Sequence, residues 1–504
     1  MHTQLLIIVS EDDKKLPVKR YLLDISPCNH GGQLDKASEE LDIAESDILD
    51  FSSCLNPVGN PFKYEDNDLD IENLRNIAAA KLEQYPDNRY RELRSAAAAF
   101  LGKGIKNANI VPGNGTCELL RLILECTLEE GDKVIVPLPC PLEYHHSCRT
   151  FGTVPQKIAL DEMLRIPKRT IEKSKLIFFS NPNNPAGKLA SREEMREFAS
   201  KCAEHQTLLV VDESFIELSD PAQSVADLAI DNDYLIVLRS VTNAFSMPGI
   251  RFSYGIASKA MADRLNSARL SWNIGALTES FATGVLSMEG GPDSSYLKRS
   301  REFISKEREY IAGRISALYG FKVLESSANY ILVDMDGHFM DSERFVNRFA
   351  SHGVLIRECS DFFGGEKRYF RLSVRSREDF EKLIGNLDDV YAESSREAAR
   401  EQLEETIEHP EKTVSSRGTC SYYPCHFQGQ DCTFCFCPFY ACEDEKTGGF
   451  WIDSATGGKV WSCEKCTLLH QPKTAKKILD VLMDEGDTDE NILKAWREVI
   501  KPLL

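Results

Sequence analysis

Half of the 16 cysteines of this 504-residue chain lie in one short segment near its C-terminal end. They are Cys420, Cys425, Cys432, Cys435, Cys437, Cys442, Cys463 and Cys466. The two Cys-x-x-Cys pairs among them have the spacing of tetrahedral thiolate sites, and His426 and His470 could complete a second site. About fifty residues bury too little apolar surface to fold easily alone, so a metal would add the missing stability. We predict a domain that binds zinc or an iron–sulfur cluster, since four thiolates serve either; disulfides are the alternative.

A glycine-containing turn between an apolar strand and a helix offers a second candidate site. Residues 111–118 read VPGNGTCE and lead into the apolar run Leu119–Leu124. Glycine lets the backbone approach a ligand closely, and the helix that follows offers unpaired N–H groups and the positive end of its dipole. We predict that a phosphate binds the amide groups of Gly115, Thr116 and Cys117. Most such turns bind nothing, so this prediction depends on the motifs around it.

Short apolar runs recur about every thirty residues along the chain, and each one ends in polar residues. Leu176–Ser180 runs into NPNNPAG, Leu208–Val211 into Asp212, and Tyr234–Leu238 into a segment that includes Ser240. Helical segments alternate with these runs, an order that indicates a mostly parallel sheet flanked by helices. Ligands of such sheets bind at the carboxyl ends of the strands. We therefore predict an α/β fold whose polar strand ends form a binding site.

These segments resemble the motifs of fold-type I pyridoxal phosphate (PLP) enzymes. The closest resemblance is to the branch that contains histidinol-phosphate aminotransferases and threonine-phosphate decarboxylases. The similar motifs are NPNNPAG at residues 181–187, LRSVTNAFSMPGIRFSY at 238–254, HGG at 30–32, DFSS at 50–53, IRECSDF at 356–362 and RLSVR at 371–375. The resemblance covers residues 28–392 and implies a fold-type I structure with a smaller α+β domain. The cysteine-rich segment resembles a small domain found behind archaeal cobalamin enzymes.

The resemblance implies roles for individual residues. Asp212 would pair with the pyridine nitrogen of PLP, and Asn184 would bind its ring oxygen. The residues that would hold the PLP phosphate are Gly115, Thr116, Cys117, Ser240, Thr242 and Arg251, with Tyr85 reaching it from the partner subunit of a homodimer. The residues that would bind the substrate are His30, Asn56, Asn184, Arg357 and Arg371. Of these, Arg371 would take the substrate carboxylate, and Arg357 would take its side-chain phosphate.

The lysine that holds PLP covalently in this family falls on Asn243. An amide cannot form an imine with an aldehyde, because its nitrogen lone pair is delocalised. We therefore expect PLP to bind without covalent attachment. The aromatic residue that stacks on the cofactor ring in the family is also replaced, by Pro141.

The resemblance implies a decarboxylase that converts L-threonine O-3-phosphate to (R)-1-amino-2-propanol O-phosphate and CO2 in cobalamin biosynthesis. Two alternatives remain open. The protein could be a catalytically impaired homologue that binds phosphothreonine or regulates a partner. The metal-binding tail could instead carry a separate activity such as threonine phosphorylation, although the sequence contains no Walker-type loop.

Composition sets limits on partners and location. The net charge of -19 argues against nucleic-acid binding. The apolar run near the start, Leu5–Val9, is too short to span a membrane or serve as a signal core, so we expect a cytoplasmic protein. We predict an N-terminal arm with part of the small domain at 1–74, a PLP-binding large domain at 75–290 and the rest of the small domain at 291–391. A linker at 392–418, the metal-binding domain at 419–472 and a helical tail at 473–504 would follow.

Overall fold

A computed structural model describes residues 17–23, 25, 27–28, 31–64, 69–336, 338, 340–409, 418, 420, 422–454, 456 and 458–504. His30, which we predicted to bind substrate, lies outside these residues. The chain divides into two compact units. The first runs to Val346 and includes Gly353–Arg377, and the second contains Asn347–His352 and Glu378–Leu504.

The described residues form 15 strands and 16 α-helices. The strands are β1 (Leu49–Asp50), β2 (Ile110–Gly113), β3 (Lys133–Leu138), β4 (Val154–Ala159), β5 (Leu176–Ser180), β6 (Leu208–Asp212), β7 (Leu235–Ser240), β8 (Ser253–Ile256), β9 (Lys322–Val323), β10 (Tyr330–Asp334), β11 (Val354–Leu355), β12 (Arg357–Glu358), β13 (Tyr369–Ser373), β14 (Phe450–Asp453) and β15 (Lys459–Ser462). The helices are α1 (Leu34–Leu41), α2 (Ile71–Ala80), α3 (Arg91–Leu101), α4 (Thr116–Thr127), α5 (Leu142–Thr150), α6 (Lys168–Glu172), α7 (Arg192–Glu204), α8 (Val241–Ala244), α9 (Lys259–Ala268), α10 (Ala276–Leu286), α11 (Ser295–Ser316), α12 (Ser342–Ser351), α13 (Arg377–Gly385), α14 (Leu387–Glu408), α15 (Pro472–Leu482) and α16 (Thr488–Ala495).

The first unit is built on a seven-stranded sheet with the order β2-β8-β7-β6-β5-β3-β4. Strand β8 is antiparallel to both of its neighbours, and the pairs from β7 to β4 are parallel. Every residue of β5, β6 and β7 is buried, because helices cover both faces of the sheet. This arrangement confirms the predicted α/β fold with a mostly parallel sheet.

Alternate residues of each central strand face opposite sides of the sheet. Leu209 and Val211 of β6 pack in a core that includes residues of α3, α7 and α10. Leu208 and Val210 pack on the other side, with residues of α4, α5 and α9. The register pairs Ser180 with Asp212, so the carboxyl ends of β5 and β6 lie at one edge. The polar residues at these strand ends are therefore neighbours.

A second sheet of the first unit positions two arginines. Its order is β12-β13-β10-β9, and all of its pairs are antiparallel. Arg357 of β12 lies directly opposite Arg371 of β13 in the register. Strand β11 comes just before β12 in the chain but pairs with β1 in a separate two-stranded sheet. The DFSS segment that follows β1 also lies beside the arginines, since the amide of Ser373 donates to the carbonyl of Phe51 (3.0 Å).

The second unit has its own apolar core. Leu403 of α14 packs in one cluster with Phe434, Ile478 of α15 and Ile500. The part of the predicted linker that falls in α14 is thus helical and buries one face. Strands β14 and β15 form a two-stranded antiparallel sheet. Within the described residues of the whole chain, no helix is long and apolar enough to cross a membrane.

A buried cluster of charges joins the ends of β6 and β7. The guanidinium of Arg239 donates from Nε to Glu213 (2.9 Å), from Nη1 to Glu217 and from Nη2 to the hydroxyl of Ser224 (2.9 Å). The side chains of Arg239 and both glutamates are at most 3% exposed. Burial opposes the positive charge of Arg239, but Glu217 and Glu213 outweigh this effect and raise its pKa. Glu213 follows Asp212 in the chain, and Arg239 precedes Ser240. The cluster therefore fixes the positions of Asp212 and Ser240, which are both predicted to bind the cofactor.

We predict that Arg239→Ala strongly destabilises the first unit. The change leaves two buried carboxylates without their cation, for which the expected loss in free energy of unfolding is about 3–5 kcal/mol. Urea denaturation followed by circular dichroism measures this loss. The matched control is Arg196→Ala, which removes an exposed ion pair with Glu193 and should cost less than about 1 kcal/mol. Equal, small losses in both variants would contradict a central role for the buried cluster.

Candidate cofactor site at the carboxyl edge of the sheet

The turn before α4 approaches Arg251 closely. Gly115 has a φ of 83°, a conformation that side chains rarely adopt, and a Cβ atom there would lie 2.6 Å from Nη2 of Arg251. Both the backbone conformation and the space therefore require glycine. The next residue, Thr116, shares a hydrogen bond of 3.0 Å with the hydroxyl of Ser253. The N-terminal end of α4, which includes Cys117, thus lies beside the guanidinium of Arg251 and the hydroxyl of Ser253.

The segment after β7 adds the remaining groups of this cradle. The hydroxyl of Ser240 accepts from the amide of Thr242 (3.2 Å) and caps α8. Arg251 donates to the hydroxyl of Thr242 (3.4 Å) and to the carbonyl of Pro248 (3.1 Å). Ser240 also lies opposite Ser253 in the register of β7 and β8. The structure therefore brings six of the seven predicted phosphate-binding residues together around one helix N-terminus, where the dipole and the guanidinium both favour an anion.

Asp212 presents a buried carboxylate at the end of β6. One oxygen accepts from the amide (3.0 Å) and hydroxyl of Ser214, and the other accepts from the hydroxyl of Tyr144 (3.1 Å). Burial raises the pKa of Asp212, while the hydrogen bonds from Ser214 and Tyr144 oppose this rise. Tyr144 in turn stacks on Phe178, with ring centroids 4.5 Å apart. The contact with Asp212 gives the buried Tyr144 a part in the site.

Asn184, in the loop that follows β5, contacts Arg371 of β13. Arg371 donates from Nη1 to the side-chain oxygen of Asn184 and from Nη2 to the carbonyl of Ser52 (2.8 Å). Its guanidinium is buried and lies 5.2 Å from the ring centroid of Tyr330. The buried Nε of Arg371 has no hydrogen-bond partner among the described residues. An unsatisfied buried donor is costly, so a carboxylate ligand would complete this guanidinium.

Arg357 places a second guanidinium next to Arg371. Its Nη2 forms an ion pair with Asp361 (2.6 Å), and its guanidinium lies 4.9 Å from the ring centroid of Phe362. Two cross-strand arginines on one face can bind two anionic groups of one ligand. The distance between these groups would be set by the β12–β13 register.

Asn243 lies in α8, between the phosphate cradle and the N-terminal segment. Its backbone carbonyl accepts from the amide of Asn56 (3.0 Å). The side chain of Asn56 is buried and donates to the carbonyl of Ala244 (2.9 Å), to the hydroxyl of Tyr296 (3.0 Å) and to Ser300 (2.8 Å). The predicted role of Asn56 in substrate binding stays a prediction. In the structure its side-chain amide fixes the segment that carries Asn243, a role that the sequence did not reveal.

Two further predicted groups take no part in these contacts. Tyr85 is 80% exposed and packs on Trp272, with ring centroids 4.6 Å apart. Its predicted contact with a partner subunit stays a prediction. The second unit contains a cavity of about 310 Å³ that is lined by two histidines and five cysteines. They are His426, His470, Cys435, Cys437, Cys442, Cys463 and Cys466. In the described part of the chain, no three Cys, His, Asp or Glu side chains are already arranged to hold a metal ion.

We predict that Asp212→Asn stabilises the ligand-free protein as the pH rises. The pKa of Asp212 is raised above its ordinary value of 3.8. Its contribution to stability is therefore fully present below that value and is lost as the pH rises through the folded-state pKa. Asparagine carries no charge, so the difference in urea midpoint between variant and wild type should grow from pH 4 to pH 8. Asp231→Asn, at an exposed position, is the control, and a difference in urea midpoint that does not grow in favour of Asp212→Asn between pH 4 and pH 8 would contradict the prediction.

Comparisons with known proteins agree with this geometry. Residues 60–387 match the family described as aminotransferases of class I and II, and residues 411–492 match the family described as a cysteine-rich small domain. A protein of Caldanaerobacter subterraneus subsp. tengcongensis, named provisionally as a threonine-phosphate decarboxylase, is 30% identical over 325 residues, which are 63% of this chain and 86% of that protein.

Histidinol-phosphate aminotransferases are similarly close. The enzyme of Methanothermobacter thermautotrophicus is 24% identical over 380 residues, which are 73% of this chain and 97% of that protein. The crystal structure of the enzyme from Clostridium acetobutylicum has a TM-score of 0.60 and 27% identity, and the match covers 68% of this chain and 99% of that one. The chain therefore belongs to the class I and II aminotransferases, has their fold-type I PLP enzyme structure, and carries a cysteine-rich domain at its C-terminal end.

Proposed function

We propose that the first unit is a threonine-phosphate decarboxylase-like protein of cobalamin biosynthesis that binds PLP without a covalent bond. The reaction of this pocket would convert L-threonine O-3-phosphate to (R)-1-amino-2-propanol O-phosphate and CO2. The observation that carries the proposal is the cross-strand pair Arg357 and Arg371 beside Asn184. A substrate with both a carboxylate and a phosphate matches two adjacent guanidiniums. The relative from Caldanaerobacter supports the same reaction.

The residues of the site fit PLP at its phosphate and at its ring nitrogen. The cradle of Gly115, Thr242 and Arg251 would hold the phosphate, and the buried Asp212 would keep the pyridine nitrogen protonated. When bound, PLP supplies an electron sink for the electron pair that remains when CO2 departs. Arg371 would orient the substrate carboxylate, and Arg357 would hold the substrate phosphate.

The residue at position 243 does not fit covalent attachment of PLP. An asparagine cannot supply the amine that holds the cofactor, moves protons and releases the product. The same observation favours a second candidate function, in which the pocket binds phosphothreonine and PLP but does not catalyse decarboxylation. Such a protein would act as a binding or regulatory homologue.

We further propose a cytoplasmic homodimer whose C-terminal domain binds zinc or an iron–sulfur cluster. A dimer interface is supported by the exposed apolar side chains of Leu82, Tyr85, Leu270 and Trp272. A reducing location is supported by the two Cys-x-x-Cys pairs of the second unit, whose spacing is that of metal ligands. Metal binding is supported by the five thiols that line one cavity of the second unit.

The first experiment is Asn243→Lys. If the pocket is a decarboxylase that lacks one group, the variant should hold PLP covalently and release CO2 from L-threonine O-3-phosphate, whereas the wild type should do neither at a comparable rate. Absorbance in the near visible, mass spectrometry after borohydride reduction, and CO2 release measure these gains. Asn76→Lys, on an exposed part of α2, is the control for a lysine elsewhere.

The outcomes separate the two candidate functions. Covalent PLP together with CO2 release supports the decarboxylase. Covalent PLP without CO2 release, combined with binding of L-threonine O-3-phosphate by the wild type in calorimetry, supports the binding homologue. If neither protein binds L-threonine O-3-phosphate, both functions are wrong.

We predict that Arg357→Gln selectively weakens binding of the phosphorylated ligand. Loss of a charged hydrogen bond costs about 1.5–3 kcal/mol, which is roughly a 10- to 100-fold loss of affinity for L-threonine O-3-phosphate. Affinity for L-threonine, which lacks the phosphate, should change little. Isothermal calorimetry with both ligands measures the difference, and Arg368→Gln is the control because Arg368 pairs with Asp334 instead. An equal loss for both ligands would show that Arg357 does not bind the phosphate.

A further inference from the structure

We propose that the second unit holds two metal ions in different ligand sets, and that one set is a mixed zinc site formed by Cys425, Cys432, His426 and His470. The inference rests on the metal-binding role proposed above and goes beyond it, because it assigns the ligands. It is carried by the contacts of the two histidines and of the buried Gln430.

The two histidines lie face to face at the cavity wall. The ring centroids of His426 and His470 are 4.2 Å apart, and the rings are inclined by 31°. Nδ1 of His470 lies 2.9 Å from the carbonyl oxygen of Asp431, and the amide of Asp431 donates to the carbonyl of His470 (2.8 Å). Because a carbonyl oxygen only accepts, Nδ1 of His470 carries the proton, and its Nε2 keeps a lone pair. A backbone carbonyl on one ring nitrogen is the usual support of a histidine that binds metal through the other.

His426 also has a nitrogen available for a ligand. Its Nδ1 lies 3.2 Å from the sulfur of Cys425. A ring nitrogen and a thiolate this close can bind one metal ion, with His426 as a ligand through Nδ1 and His470 through Nε2.

Gln430 contacts both sulfurs of the proposed site. Its side-chain nitrogen donates to the sulfur of Cys425 (2.9 Å) and to that of Cys432 (3.5 Å). Its side-chain oxygen accepts from the amides of His426 (2.9 Å) and Phe427 (3.2 Å). Gln430 is 1% exposed, so these contacts are fixed by burial. The glutamine thus supports two thiolates and the loop of one histidine, which is the role of residues that orient metal ligands.

Four other cysteines form a separate set that needs no histidine. Cys437, Cys442, Cys463 and Cys466 all line the cavity. The turns at two of them are closed by backbone hydrogen bonds, from Tyr440 to the carbonyl of Cys437 (3.1 Å) and from Cys466 to that of Cys463 (2.9 Å). Such turns present sulfurs in the manner of a tetrahedral site. We assign this set to an all-sulfur site, which leaves Cys420 and Cys435 outside both.

The mixed set favours zinc for chemical reasons. Two thiolates and two imidazoles form a common tetrahedral environment of structural zinc, whereas iron–sulfur clusters are held mainly by thiolates. The donor atoms are not yet closed around an ion position, so binding would draw the two histidines and two cysteines together. This movement couples metal binding to the stability of the second unit.

X-ray absorption at the zinc edge tests the assignment on the unaltered full-length protein. Two zinc ions in the proposed sets give an average of three sulfurs to one nitrogen, with Zn–S near 2.3 Å and Zn–N near 2.0 Å. The zinc content by mass spectrometry should be about two ions per chain in the wild type and about one in His426→Ala and in His470→Ala. The control is His409→Ala, at an exposed position, which should keep both ions.

The outcomes distinguish a failure of metal binding from a failure of the mixed site alone. A wild-type protein without bound metal would overturn the metal-binding role itself. Bound zinc with only sulfur ligands would overturn the mixed site while leaving metal binding intact, and so would full zinc content in both histidine variants. Because the absorption spectrum needs no variant, a histidine variant that fails to fold does not prevent the test.

Discussion

The candidate site depends on a buried ion cluster that lies on the other side of the sheet. Arg239 neutralises Glu213 and Glu217 in a region that excludes water, where an unpaired charge would be far more costly than at the surface. Alternate residues of a strand face opposite sides, so the cluster occupies one face while Asp212 and Ser240 occupy the other. The pairing of Arg239 and Glu213 therefore fixes the separation of the two strand ends that would bind the ring nitrogen and the phosphate of PLP.

The pocket itself contains groups that oppose stability. Burial raises the pKa of Asp212, and the buried Nε of Arg371 has no hydrogen-bond partner among the described residues. Both features are costly without a ligand, and both fit a ligand with a cationic ring nitrogen and a carboxylate. These two groups lower stability in the absence of a ligand. They thus support a binding role for the pocket whether or not the protein catalyses a reaction there.

The sequence predicted the central strands well and the long-range contacts poorly. Leu176–Ser180 matches β5 because a strand covered on both faces is a continuous apolar run with clear ends. The role of Asn56 could not be predicted, since its side-chain partners are 188 to 244 residues away along the chain. The ion pairs of Arg239 were missed for a related reason, because an arginine in a sequence usually indicates the surface. The motifs predicted where a site would lie, but only the packing shows which polar residues line the pocket and which hold the backbone.

Packing around α8 holds the backbone at position 243, where the family has its lysine. The backbone at position 243 is held by the amide of Asn56, and that of Ala244 by the side chain of Asn56. The cap of α8 comes from Ser240, on the preceding strand. None of these contacts uses the side chain of Asn243, so the position of this residue does not depend on which side chain it carries. At position 243 the departure from the family pattern is therefore local: the chain keeps the backbone position where an amine would act and lacks the amine, while Pro141 is a separate departure at the cofactor face.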